Sequence, residues 1–144
     1  MAVTSKIYVK MVEVINVSPA GMADYLSATI KTALTTSANG ISQTADTSYL
    51  SLTNEVTGTG YTAGGATLGS KTLGTASLVT TWDAADVAWT TATFTGAAQA
   101  HTYSDSTASK FLMTYQDFGG SATITALDFY IVWHASGLMT LTVA

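Results

Sequence analysis

A chain of 144 residues, 47% of them hydrophobic, has the length of one domain and buries roughly two-thirds of the surface its unfolded form exposes. Charged residues make up only 10%, against about 25% in an average soluble domain. Arginine is absent and the net charge is −4, which disfavours nucleic acid and anionic lipid and removes the usual bidentate clamp for phosphate or carboxylate.

Residues 6–15 alternate Ile7, Val9 and Met11 against Tyr8, Lys10 and Val12, and predict a first strand. Ser18 then stands as an N-cap ahead of Pro19 at a first helical position, with Met22 and Leu26 sharing one face of a short helix. Residues 28–36 alternate Ile30, Thr32 and Leu34 with Thr29, Lys31 and Ala33. A continued helix is the competitor there, and the threonine load favours a strand. Asn39-Gly40 marks a turn, and residues 44–52 predict a short helix with Asp46 near its start.

The glycine-studded stretch 54–69 predicts an irregular crossing that ends in a strand. Further strands are predicted at 71–79, 87–95, 99–103, 111–117, 122–133 and 138–143. The last two join through His134-Ala135-Ser136-Gly137 as a hairpin. Residues 81–95 carry the clearest pattern: an acidic turn from Asp83 to Asp86, then Val87, Trp89, Thr91 and Thr93 on one face with Ala88, Thr90, Ala92 and Phe94 on the other. Many short strands with glycine-rich turns imply a mainly β single domain over residues 1–144. It is an antiparallel β-sandwich or jelly-roll-like barrel with one or two short helices in its N-terminal third. The most apolar stretch, 129–144, is too short and too interrupted for a bilayer helix, and the opening residues lack the apolar run of a secretory signal.

No chemistry-bearing constellation stands out. Gly64-Gly65 through Ser70-Lys71 nears a phosphate loop, but serine precedes lysine where the motif requires the reverse, so the glycines serve a loop. Asp83, Asp86, Asp105 and Asp117 would form a calcium site only if their loops met at one end of the sandwich. Asp83, Asp86 and Asp105 are the weak metal candidates, with turn-forming aspartates as the simpler reading. His101 and His134, with no cysteine, are a poor zinc set and are placed at turns or strand ends. Glu13 and Glu55 are the only glutamates, and nothing selects a catalytic pair of carboxylates. Trp89 and Trp133 are assigned to the core, while Trp82, beside the acidic turn, is left open between core and sugar-stacking platform. The expectation is therefore a non-enzyme without cofactor.

The order of several stretches is more specific than composition. They are Asp24-Tyr-Leu-Ser-Ala-Thr-Ile-Lys-Thr-Ala-Leu-Thr-Thr36, then Asn54-Glu-Val-Thr-Gly-Thr-Gly-Tyr-Thr-Ala-Gly-Gly-Ala-Thr-Leu68, then Asp83-x-x-Asp86-Val-x-Trp89. Asp117-Phe118-Gly119 and Ile131-Val-Trp-His-Ala-Ser-Gly-Leu138 complete the series. In this order the chain resembles a family of small virion proteins of tailed bacteriophages, found among head and head-associated structural proteins. The resemblance runs from about residue 24 onward. It departs at residues 96–101, where the family's Ala-Arg-Tyr-Ala-Val is replaced by a segment without arginine, and it is weak over residues 6–15.

The resemblance implies a virion component without fixing which one. The leading expectation is a capsid decoration (cement) protein that binds the major capsid protein and stabilises the head, displayed on the virion after assembly in the bacterial cytoplasm, as a homo-oligomer expected to be a trimer, with no nucleic-acid or membrane partner. The alternatives are a tail, neck or fibre-base component and a surface glycan- or receptor-binding module. Residues 1–17 are the candidate assembly arm. Met1, Lys6, Gly58, Tyr61, Gly64 and Gly65 are the candidate interface residues.

Overall fold

The computed structural model describes residues 3–17 and 26–142. Strands account for 55% of the structure and helices for 9%, arranged as two antiparallel sheets packed together in a β-sandwich. In chain order the elements are β1 (Thr4–Ile7), α1 (Val9–Val17), β2 (Ile30–Thr36), β3 (Gly58–Thr59), β4 (Ala66–Thr67), β5 (Thr72–Ala76), β6 (Val79–Asp83), β7 (Val87–Ser104), β8 (Leu112–Ile131) and β9 (Met139–Thr142). Single 3₁₀ turns occupy Ser37–Asn39 and Tyr49–Ser51. The larger sheet runs β1-β8-β7-β2-β4, with β3 also on β7; the smaller runs β5-β6-β9.

The predicted first strand is corrected at Tyr8. β1 ends at Ile7, and α1 replaces its second half. Tyr8 and Met11 are both fully buried, and a three-residue spacing puts them on one side only in a helix. Lys10 and Glu13 pair at 2.9 Å with the same spacing. Burial of those two side chains outweighs the β propensity of the valines, because tertiary packing overrides local preference. The helix start expected at Ser18-Pro19 lies outside the described residues. The helix predicted over 44–52 reduces to the one turn Tyr49–Ser51, capped by the Ser48 hydroxyl, which accepts the Leu50 N–H at 3.1 Å.

The strand at β2 forms as expected, and its two faces are both covered. Ile30 and Leu34 enter the main core, while Ala33 joins Tyr8, Tyr103, Leu112 and Tyr115 in a second cluster on the opposite face. The main core carries Trp82 of β6 together with Val87, Trp89, Phe94, Phe118 and Ile131, and so joins the two sheets. Trp82 is 1% exposed, which settles its open assignment in favour of the core. Trp133 is half-buried at the core margin, with its indole N–H donated to the Ala85 carbonyl at 3.0 Å.

Four predicted strands merge into two long ones. The breaks expected near Gly96 and Gly119 are bulges inside β7 and β8, where glycine adopts φ of 79° and 69°. A residue in that region unpairs locally without ending the ladder. Between the pairs Ala97–Ala122 and Gln99–Asp117, β8 advances five positions where β7 advances two. The predicted strand 71–79 divides instead. Ser77, at φ 54°, turns β5 back onto β6, and β6 takes up residues that looked like the approach to β7.

The predicted faces of residues 87–94 also change. Val87, Trp89, Ala92 and Phe94 are buried, whereas Thr91 and Thr93 are exposed. Thr91 sits at φ 50° as an extra residue and shifts the phase by one. Ala126, at φ 51°, is the compensating bulge on β8. Both bulged amides find side-chain acceptors: Thr91 N–H donates to Asp128 Oδ1 at 2.7 Å and Ala126 N–H to Thr93 Oγ1 at 2.9 Å.

The predicted closing hairpin is not formed. Gly137 N–H donates to the His134 carbonyl at 2.7 Å to make the turn, but β9 then pairs with β6 in the other sheet rather than with β8. A methyl group on Gly137 would overlap the Trp82 carbonyl, so this crossing is held close. No described helix is long and apolar enough to cross a membrane.

Candidate functional site

The glycine loop nominated for interface contacts is pinned from within. The Glu55 carboxylate accepts three hydrogen bonds: Tyr49 hydroxyl at 2.8 Å, Tyr61 hydroxyl at 2.7 Å and Gly64 N–H at 2.7 Å. Tyr61 also accepts the Leu34 N–H at 2.9 Å, and Tyr103 donates to the Gly64 carbonyl at 2.8 Å. Burial and the adjacent carboxylate raise Tyr61 above the usual phenol range and push Tyr49 up to about 12. Tyr49 stacks on Tyr103 with ring centres 4.3 Å apart. Tyr61 and Gly64 are thus buried, and a side chain on Gly65 would run into the Thr32 carbonyl. Gly58 lies on β3 against Thr93 and Phe94, and Lys6 is exposed on β1 opposite Tyr115. Met1 lies outside the described residues. What the loop presents to solvent is Thr62 and Ala63.

The candidate aspartates are separated. Asp86 and Asp105 flank β7 at opposite ends, and no three metal-ligating groups cluster among the described residues. Each aspartate already has a partner. Asp83 Oδ1 accepts the Ala84 N–H at 2.9 Å, Asp86 Oδ1 the Trp133 N–H at 2.9 Å, and Asp117 Oδ1 the Gly119 N–H at 2.9 Å. Asp105 bridges Lys110 at 2.6 Å and Lys31 at 2.7 Å, and these ammonium groups, Lys110 foremost, hold its carboxyl below the usual range.

His101 lies inside β7, three residues before its C-terminal end, and is fully buried rather than exposed at a turn. Thr35 donates its hydroxyl to Gln99 Oε1 at 3.0 Å, so its lone pair is left for the His101 Nε2–H at 2.9 Å. Nδ1 then accepts from the Tyr8 hydroxyl at 2.7 Å. Burial pushes His101 down to about 4, and the ring is neutral at ordinary pH. The chain Tyr8–His101–Thr35–Gln99 is closed to solvent and ties the N-terminal segment to the sheet. His134 is exposed, its Nδ1 accepting the Ser136 N–H at 3.1 Å.

The accessible feature lies along β8. β1 pairs with β8 only over Thr114–Asp117, and among the described residues no strand pairs the outer edge of β8 beyond that point. Beside the edge opens a cleft of about 950 Å³ walled by Phe118, Phe129, Ile131, Trp133 and Leu138, with no carboxylate or lysine in its lining. Gln116, 5% exposed and part of the cleft lining, donates to Thr114 Oγ1 at 3.3 Å, while its buried Oε1 has no hydrogen-bond partner among the described residues. Near the edge Leu127, Tyr130 and Val132 are 62%, 55% and 72% exposed. The surface is suited to holding an uncharged partner, through apolar contact and unpaired backbone groups.

Sequence reading missed this edge because residues 122–133 were paired with the C-terminal strand. The readable signal was the run from Phe118 to Leu127, which holds no charge and no proline, the usual guards of an exposed strand edge. No protein-family model, curated protein or solved structure matches this chain.

Proposed function

We propose that the chain is a structural component of a tailed-bacteriophage virion, acting as a capsid decoration protein that binds the major capsid protein and braces the head. The observation that carries this reading is the surface. It is a β-sandwich that exposes threonine, serine, alanine and glycine, has five lysines and no arginine, and leaves apolar side chains beside an open sheet edge. Such a surface docks without stripping water from many charges. The family resemblance adds to it. Its closest stretch, residues 54–68, is the Glu55-pinned loop on which packing against β2 and β7 depends.

In this role each copy adds a modest contact area, and closed symmetry multiplies it, with three copies meeting at junctions between capsid subunits. The partners are the major capsid protein and the chain itself, without enzymatic chemistry. The test is co-sedimentation of purified protein with expanded capsids, followed by a particle reconstruction. Many copies spread over the head support the reading. Absence of binding, or a few copies at one vertex, overturns it, the latter in favour of a tail, neck or fibre-base part. The glycan-binding alternative loses one of its platforms, since Trp82 is enclosed in the core.

A further inference from the structure

We infer that β1 and α1 form an acid-released latch, in which proton uptake by His101 frees Tyr8 and lifts residues 4–17 off β8 while both sheets stay folded. Release involves no capsid and no second copy, so it stands apart from the virion reading.

The segment is held lightly. β1 is an edge strand, paired only over Thr4–Ile7 with Thr114–Asp117 of β8. Past it, the Tyr8 N–H donates to the Met113 carbonyl at 2.9 Å, the Val9 N–H to the Gln43 carbonyl at 3.2 Å, and Gln43 Nε2 to the Ile7 carbonyl at 2.6 Å. Tyr8 and Met11 are its buried anchors, while Val9, Val12 and Glu13 are exposed. On the other side His101 belongs to β7, which is paired at that point with both β2 and β8. A short edge ladder opens at lower cost than a strand bonded on both sides.

The hydrogen bonds at the ring also have a fixed direction. The Tyr8 hydroxyl donates to Nδ1, and Nε2–H donates to Thr35, whose own proton goes to Gln99 Oε1. A proton added at Nδ1 sets two donors against each other across 2.7 Å. Tyr8 accepts the new bond only by turning its own proton away, and its hydroxyl has no second hydrogen-bond partner among the described residues. One donor is then stranded, beside a charge in a fully buried site.

Nothing nearby offsets that charge. The groups around the ring are Tyr8, Tyr115 of β8 with its ring centre 6.5 Å away, Thr35 of β2 and Gln99 of β7. Asp46, whose Oδ2 accepts the Ser42 N–H at 2.7 Å, acts on the Tyr8 hydroxyl, and no ion pair reaches His101 among the described residues. The imidazolium is solvated only when water replaces Tyr8, and the Tyr8 side is the one that yields. Burial keeps the closed form neutral down to about 4, whereas an open form takes the proton near 6.5. Closure is therefore at full strength above 6.5 and weakens about tenfold per pH unit below it, by up to about 300-fold at pH 4.

Amide hydrogen exchange of the full chain, followed by NMR from pH 7 to 4 and divided by the intrinsic rate at each pH, tests the latch. The Tyr8 N–H reports on the segment, and the Val56 N–H, donated to the Leu34 carbonyl at 2.9 Å, reports on the sheet. Tyr8 is expected to lose about tenfold in protection per pH unit between 6.5 and 4, with Val56 at least tenfold better protected throughout. H101N is expected to abolish the slope at Tyr8. A tether keeps His101 and gives a second readout: T4C/D117C places one disulfide across a directly paired position in a chain with no other cysteine. Oxidised, it is expected to raise Tyr8 protection at least tenfold at pH 5, and reduction restores the opening. Equal protection of Tyr8 and Val56, a flat profile at Tyr8, a slope that survives H101N, or a tether without effect would each overturn the proposal.

Discussion

Tyr8 and His101, 93 positions apart in the chain, share a buried 2.7 Å hydrogen bond that joins the residue after β1 to the C-terminal part of β7. The unfolded chain protonates His101 as pH falls through about 6.5, while the folded protein does so only near 4. Between those values the unfolded state binds the extra proton, so stability falls as pH drops from 6.5 to 4, by at most about 3 kcal/mol. Above 6.5 this group contributes no pH dependence. Urea denaturation across the window tests it: H101N lowers stability overall but flattens this portion of the curve. Asp105 acts below it. Its lowered carboxyl contributes stability that is lost as pH falls further, and D105N removes that later decline.

Glu55 holds three donors, and its removal strands all of them. E55A is expected to cost about 3 kcal/mol, since the two tyrosine hydroxyls and the Gly64 amide lose a charged acceptor. E55Q keeps the shape and an acceptor oxygen and costs about half as much. Equilibrium denaturation measures both, and equal effects from the two variants would contradict the clamp.

The glycines divide by what surrounds them. Gly65 has φ +74° and the Thr32 carbonyl where a methyl would go, so G65A is expected to cost 3 kcal/mol or more, on the order of a strained backbone plus a forced shift. Gly40 has φ +64° with nothing within 4 Å, and G40A should cost only about 1 kcal/mol. Thermal melts of the pair separate conformational cost from collision.

The paired bulges rest on side-chain acceptors. T93V removes the oxygen that takes the Ala126 N–H, and is expected to cost about 1 kcal/mol. Amide hydrogen exchange should quicken at Ala126 and leave Ala100, in the doubly covered half of β7, unchanged. Exchange that quickens equally at both would mean that the bulge is not held locally.

Much of the architecture was readable. The β class, the strand at β2, the turn at Asn39-Gly40 and the core role of Trp89, with Trp133 only at the core margin, follow from alternation, threonine content and turn residues, all carried by neighbours in the chain. The errors in the breaks of the two long strands share one cause. Glycine at 96 and 119 looks the same in sequence whether it ends a strand or bulges it, because only the partner strand decides whether pairing resumes. The same ambiguity hid the phase change at Thr91 and sent β9 to the wrong neighbour.

By itself, then, the sequence determined a weakly charged, mainly β single domain, sandwich or jelly-roll-like barrel, because composition and side-chain period are local properties. The tertiary structure decided that residues 9–17 coil into a helix, that His101 is buried and neutral, that Glu55 closes the glycine loop, and that no described strand covers the outer edge of β8 beyond Asp117. Those outcomes depend on which distant segments meet, and burial and hydrogen-bond satisfaction are fixed only when they do.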